Sequence, residues 1–285
     1  MSSVAVIAQY ALREAVRRKV FAVVVLLTVA FLVLFWLASH FVHGQLGQIT
    51  PPSDVHVDSR TFAGAFLLGL AMFTTLFLGV VLAVFLTLGV VSGDAERGLL
   101  QPLVVRRISR STLLLARFLG AAGVCIAYVL AVYFAALLIV GLTLRWWPDR
   151  IVGPGLDLAA AVVVVISLSL LGSVVFSATA NGIAVFMLFG AGLTAGLLGQ
   201  ISEALGSHTL DRISDIVSWA LPFEALYQSA LSQLTADTVG FTRLAIDLGP
   251  FGGAQAAGPG LFLYTVLYLA VVGVVAGAAF ARRDL

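Results

Sequence analysis

The chain has 285 residues, of which 61% are hydrophobic and 11% are charged. Soluble domains carry roughly 25% charged residues, so this composition excludes an ordinary water-soluble protein and predicts an all-α integral membrane protein. A net charge of +2 does not indicate nucleic-acid binding, and no nucleic-acid partner is expected. The single cysteine, Cys125, excludes an intramolecular disulfide framework.

Residues 1–19 are predicted to form a cytoplasmic amphipathic helix that lies in the membrane interface. Val4 and Ala8 fall on one helical face, whereas Gln9, Arg13 and Arg17 fall on another. Two roles remain open for this segment. It can orient membrane insertion, or it can dock a partner protein.

Residues 20–285 are predicted to form a six-helix transmembrane domain, because uncharged segments recur at the length that a ~30 Å hydrocarbon core requires. The second segment would be about 50 Å long as one helix, so we expect it to tilt, to break near Gly69, Gly79 or Gly89, or to protrude on the cytoplasmic side. The polar patch 177–182 divides the longest segment into a hairpin. The predicted spans are about 20–42, 62–91, 113–144, 157–178, 182–202 and 261–281.

The basic residues predict the orientation of the spans. With six crossings, eleven of the sixteen Lys and Arg residues fall on the face that carries both termini and the 93–111 loop. Because cytoplasmic loops are enriched in Lys and Arg, a multi-pass protein of the cell membrane with cytoplasmic termini is predicted. The loop 203–260 then lies outside, where we expect one or two short helices.

The loop 93–111 has the features of a docking element. Asp94 and Glu96 favour a helix N-terminus, and Leu99, Leu100 and Leu103 supply an apolar contact surface. An ordinary basic inner loop is the alternative.

The loop also carries a recognisable motif. Glu96, Gly98, Leu99, Leu100, Ser109 and Arg110 resemble the cytoplasmic motif of type-2 ABC transporter permeases, although Arg106-Arg107 stands where that pattern often has a proline. The resemblance implies a type-2 ABC exporter-like fold with a coupling helix at 93–111 that sits on a separate ATPase. The docking candidates that follow are Arg13, Arg17, Asp94, Glu96, Arg97, Gly98, Leu99 and Leu100.

The same resemblance implies the partners. These are two copies of an ABC ATPase subunit, a second copy of this chain or a related permease, and membrane lipids. ATP and Mg²⁺ would be bound by the ATPase, and no cofactor is expected in this chain.

The C-terminal residues 279–285 and the segment 221–226 resemble a subgroup often labelled as multicopper-enzyme-maturation permeases. That label invites a metal-binding interpretation of His40, His43 and His56, since imidazole suits copper or zinc. Without Cys or Met partners these histidines are more often interfacial, so we expect no metal site.

Small residues in the last span, Gly273 and Gly277, are candidates for close helix packing, including packing with a partner subunit. The run 190–199 offers a similar glycine-rich face.

The sequence has no P-loop and no His-Glu-x-x-His motif, so it is not expected to be an enzyme. The favoured interpretation is the permease subunit of an ABC exporter, driven by an ATPase that docks on the 93–111 loop. The alternative is a membrane scaffold or assembly factor that holds a partner through its outer loop without transporting anything.

Overall fold

A computed structural model describes residues 19–46, 59–88, 110–206, 208–236, 258 and 260–282. All long elements in these ranges are helices, and no strand occurs among them. The helices are α1 (Lys19–Leu46), α2 (Ser59–Thr87), α3 (Arg110–Leu144), α4 (Gly153–Val175), α5 (Ala178–Leu205), α6 (His208–Ala220), α7 (Pro222–Ser232) and α8 (Gly260–Ala281). A short 3₁₀ turn, Gln233–Thr235, follows α7.

Six of these helices, α1 to α5 and α8, are long and apolar enough to cross a membrane. The expected six-helix, all-α membrane fold is therefore confirmed. The second span is continuous through Gly69 and Gly79, so the break considered at these two glycines does not occur. At 29 residues, α2 is about 44 Å long, which exceeds the hydrocarbon thickness and requires tilt or protrusion.

Helices α2 and α4 form the centre of the bundle. In each of them, 72% of the most apolar 18-residue stretch is buried, against 17% for α1 and α8. Gly79 lets α2 approach its neighbours, because a Cβ at this position would lie 2.9 Å from Val162 of α4 and 3.0 Å from Val129 of α3. Close contact at glycine is a usual way for membrane helices to gain packing energy.

Helices α1 and α8 are peripheral and present large apolar side chains outward, such as Leu26 and Val274. Helix α1 packs on α3, and the Thr28 and Tyr128 hydroxyls lie 2.5 Å apart across this contact. The outward faces suit acyl chains or a second subunit.

The connection 145–152 closes one end of the bundle. Helix α3 ends at Leu144, and Arg145 follows with a positive φ of 53°. Trp146 packs directly on Gly64 of α2, and the Tyr133 hydroxyl donates to the Ile151 carbonyl at 2.9 Å. This end also carries α6 and α7, and we call it the cap end. The end where α2 stops and α3 starts is the loop end.

Candidate functional site

The predicted docking residues lie outside the described ranges. This applies to Arg13 and Arg17 and to the stretch Asp94–Leu100, so their arrangement stays a prediction. The helices on both sides of the 93–111 loop are described, and α2 packs against α3. Any force applied to this loop is therefore received first by the ends of α2 and α3.

Buried polar side chains connect the last turn of α2 to α4 and α5. The Thr87 and Ser169 hydroxyls lie 2.6 Å apart, and the Asn181 side-chain amide donates to the Ser169 carbonyl at 2.9 Å. All three side chains are buried. We call them the polar ladder. Because hydrogen bonds at membrane depth have few competing partners, the ladder couples these three helices.

The ladder depends on a glycine in α4. Asn181 Oδ1 has no hydrogen-bond partner among the described residues and rests on Gly172, where a Cβ would come within 2.0 Å of it. Helix α4 ends at Val175 and α5 begins at Ala178, so only Phe176 and Ser177 form the turn. The rest of the polar patch 177–182 belongs to α5. Its polar residue Asn181 fits into this helix because its side chain bonds to Ser169 of α4 across the hairpin.

At the opposite end, α6 and α7 fold over the bundle, and we call these two helices the cap. Its first anchor is α8. The Tyr264 hydroxyl donates to the Trp219 carbonyl, and the Tyr268 hydroxyl donates to the Ala220 carbonyl at 2.8 Å. These are the last carbonyls of α6, which have no partner within their own helix. The two tyrosines thus fix the end of α6 on α8.

The second anchor of the cap is α4. Asp157 accepts hydrogen bonds on Oδ2 from the Ser229 hydroxyl at 2.8 Å and from the Gln233 amide at 2.7 Å. The Asp149 backbone N–H donates to the Leu234 carbonyl at 3.2 Å. Hydrogen bonds to a charged acceptor are stronger than neutral ones, so Asp157 holds α7 and the following turn firmly.

The third anchor is a row of glycines in α5. A Cβ at Gly192 would come within 2.3 Å of Phe223, and one at Gly196 within 1.9 Å of Glu224. The Ser214 hydroxyl donates to the Ala195 carbonyl at 2.9 Å. The glycine-rich face that the sequence indicates in this region therefore receives the cap.

Glu224 is a buried carboxyl in this contact. Only 4% of the residue is exposed, and the Gln228 amide donates to its Oε1 at 2.5 Å. Burial raises the pKa of Glu224 to about 7, although the Gln228 hydrogen bond opposes the shift. The buried Tyr227 hydroxyl, for which the described residues provide no hydrogen-bond partner, also has a raised pKa, first through burial and then through the nearby Glu224 charge.

The raised pKa of Glu224 predicts that the cap becomes less stable as pH rises. Its pKa is about 7 in the folded protein against an ordinary value of 4.5, so the folded state binds more protons between these values. The contribution of Glu224 to the free energy of unfolding is full below pH 4.5 and is lost as pH rises through 7. For a pKa shift of this size the loss is about 3 kcal/mol at most. Chymotrypsin cleavage within 208–232 should be faster at pH 8 than at pH 5.5, after correction for the protease's own pH profile. Glu224→Gln should remove this difference, and an equally steep dependence in this variant would contradict the assignment.

Comparison with known families identifies the chain. A sequence profile of the ABC-2 family transporter proteins matches residues 5–285. The chain belongs to this ABC-2 family. No curated protein matches it. The protein is therefore a membrane permease subunit of an ABC transporter, and the resemblance seen in the 93–111 loop is confirmed at the level of the family.

The packing candidates Gly273 and Gly277 of this permease do not contact another described helix closely. A Cβ at either position would meet nothing within 4 Å. Both line an apolar groove of about 560 Å³ between α3, α4 and α8, whose other walls include Leu114, Phe118 and Leu170. Close packing at these glycines, with a partner subunit or otherwise, stays a prediction.

The described ranges contain no group of three His, Cys, Asp or Glu side chains that could hold a metal ion. His40 stacks on Trp36 with ring centroids 6.1 Å apart, whereas His56 lies outside these ranges. Metal binding by the three histidines and membership of the multicopper-enzyme-maturation subgroup remain hypotheses from the sequence.

Sequence reasoning did not find the hydrogen-bonded anchors of the cap. In the second anchor Asp157 lies 72 residues from Ser229 and 76 from Gln233, and hydrogen bonds at such separations leave no periodic signal. A signal was available at Glu224, because a carboxylate within the mostly apolar stretch 221–231 requires a buried partner or solvent.

Proposed function

We propose that this ABC-2 permease is the transmembrane subunit of an exporter in the cell membrane, with both termini in the cytoplasm. Two ATPase subunits dock on the 93–111 loops of a pair of these chains, with contacts from Asp94, Glu96, Arg97, Gly98, Leu99 and Leu100. Arg13 and Arg17 of the preceding amphipathic helix flank the docking site. ATP and Mg²⁺ are held by the ATPase subunits.

The polar ladder is the observation that carries the coupling step. Thr87 lies at the end of α2, immediately before the docking loop, and its hydroxyl contacts Ser169 of α4 while Asn181 of α5 binds the same turn. Force that the ATPases exert on the loop when they close on ATP is therefore passed to three helices together. If the bundle alternates between two conformations, a connection of this kind lets ATPase closure at the loop end shift the balance between them at the other end.

The apolar surfaces favour a hydrophobic or amphipathic substrate. Within the described stretches that are apolar enough to cross a membrane, the charged residues are Arg60, Arg117 and Asp157, and each lies near the end of its stretch. A path between two subunits lined by such helices suits lipids, hydrophobic drugs or peptides, and it offers few groups to read a small ion.

The test is assembly and turnover with an ABC ATPase subunit from the same source. The purified permease alone should hydrolyse no ATP, whereas co-expression should give a stable complex whose ATPase activity disappears when the ATPase carries a substitution of its catalytic carboxylate. Inside-out vesicles containing the complex should accumulate a labelled lipid or hydrophobic dye only with ATP. A stable complex without ATP-dependent movement across a broad panel of such probes would contradict export and favour a scaffold.

A further inference from the structure

A cavity of about 400 Å³ lies between the cap and the start of α8. Its walls come from α6 (Asp215, Ser218, Trp219), α7 (Pro222, Ala225, Gln228) and the first turns of α8 (Leu261, Tyr264). This volume is within the range of small-molecule sites, which join an apolar wall to a few convergent polar groups. The cavity is separate from the ATPase-docking loop, so the inference does not depend on the proposed coupling.

The polar groups of the cavity include three acceptors, and the one charged side chain that its described walls carry is acidic. Asp215 supplies a carboxylate and Ser218 a hydroxyl. One N–H of the Gln228 amide is donated to Glu224, and the Gln228 carbonyl oxygen is an acceptor that this residue can offer to a ligand. No basic side chain is found among the described lining residues, and Arg212, one turn before Asp215 on α6, does not line the cavity. This charge pattern is complementary to a cation.

Aromatic rings form another part of the wall and are held in place. Trp219 and Tyr264 meet edge to face with ring centroids 4.8 Å apart. The Tyr264 hydroxyl is bound to the Trp219 backbone carbonyl, so the Tyr264 ring is positioned before any ligand arrives and the indole ring packs against it. Indole and phenol faces attract ammonium groups, and a wall that is already ordered loses little entropy on binding.

We propose that this cavity binds the ammonium headgroup of an amphiphile, with the alkyl part along Leu261, Pro222 and Ala225. A primary ammonium has three N–H donors, which matches the Asp215, Ser218 and Gln228 oxygens. The apolar wall and the start of a membrane-spanning helix place an attached alkyl chain next to the bilayer.

The test uses octylammonium as the probe and the intrinsic tryptophan fluorescence of the purified full chain in nanodiscs as the readout. We expect saturable binding of octylammonium and no saturable binding of octyl sulfate. Asp215→Asn should weaken octylammonium binding about tenfold, the size expected for losing a hydrogen bond to a charged group, and Asp215→Glu should restore most of it. Asp149→Asn is the control, because Asp149 is an exposed residue at the same end that does not line the cavity, and the variant keeps the backbone N–H that bonds to Leu234.

Two further comparisons complete the test. Trp219→Leu should abolish most of the fluorescence response, and octylammonium binding to that variant, measured by calorimetry, should also be weaker. Methylammonium should bind far more weakly than octylammonium, and equal affinities would overturn the assignment to an amphiphile. Equal binding of octyl sulfate and octylammonium, or equal losses in Asp215→Asn and Asp149→Asn at unchanged melting temperature, would overturn the ammonium site.

Discussion

Combining Glu96→Arg with Leu99→Asp should release the ATPase subunit from the permease. The first change places a positive charge where the docking helix is expected to present a carboxylate, and the second puts a carboxylate into its apolar contact surface. Interface contacts of this kind contribute several kcal/mol when desolvated, so we expect docking to weaken about 100-fold, or about 3 kcal/mol. Pull-down of the ATPase and binding kinetics on the purified permease measure the effect.

A matched control is available at the cap end. Asp215→Arg with Leu205→Asp makes changes of the same kind at exposed positions on the opposite side of the bundle, and ATPase binding should be unaffected. Both double variants should retain the melting temperature of the natural protein. Undiminished ATPase binding by the Glu96 and Leu99 variant would remove residues 93–111 from the docking site, and with them the coupling step through α2.

Filling the glycine row of α5 should detach the cap. Leu at Gly192 or Gly196 would occupy the space taken by Phe223 or Glu224, and overpacking of this kind costs about 1–3 kcal/mol. Chymotrypsin should then cleave after Phe223 and Tyr227, which are buried in the natural protein, and mass spectrometry would locate the cuts.

Gly190→Leu is the control for this experiment. Gly190 belongs to the same helix, is exposed, and has nothing within 4 Å of a Cβ placed there. All three variants gain the same helix propensity, about 0.8 kcal/mol for replacing glycine, so differences between them report the cap contact alone. If the cap stays protected in both the Gly192 and Gly196 variants, the row of glycines is not its docking surface.

The cap and the polar ladder lie at opposite ends of the same helices. The ladder joins α2, α4 and α5 at the loop end, and the cap binds α4, α5 and α8 at the other. Helices α4 and α5 belong to both sets. In the proposed mechanism a movement that begins at the ATPase therefore reaches the cap through these two helices, and loosening either end should alter the coupling between ATP hydrolysis and transport.

The amino-acid sequence by itself determined that the chain is embedded in a lipid bilayer, and it also determined the fold class and the family. Long uncharged segments are stable only as helices in a bilayer, because no water is present there to bond the backbone, and this requirement is visible residue by residue. The Glu96, Gly98, Leu99 and Leu100 motif is likewise local, since it lies within five consecutive residues of the chain.

The tertiary structure alone decided what each polar or small residue contacts. Asp157, Glu224 and Asn181 look similar in the sequence, because each is an isolated polar residue near an apolar segment. In the structure Asp157 anchors α7, Glu224 packs against α5, and Asn181 belongs to the polar ladder. Gly192 and Gly196 receive the cap, whereas Gly273 and Gly277 stay open. Helical periodicity predicts on which face of its helix a residue lies. It does not predict which other helix packs against that face, because this depends on the arrangement of the helices in the bundle.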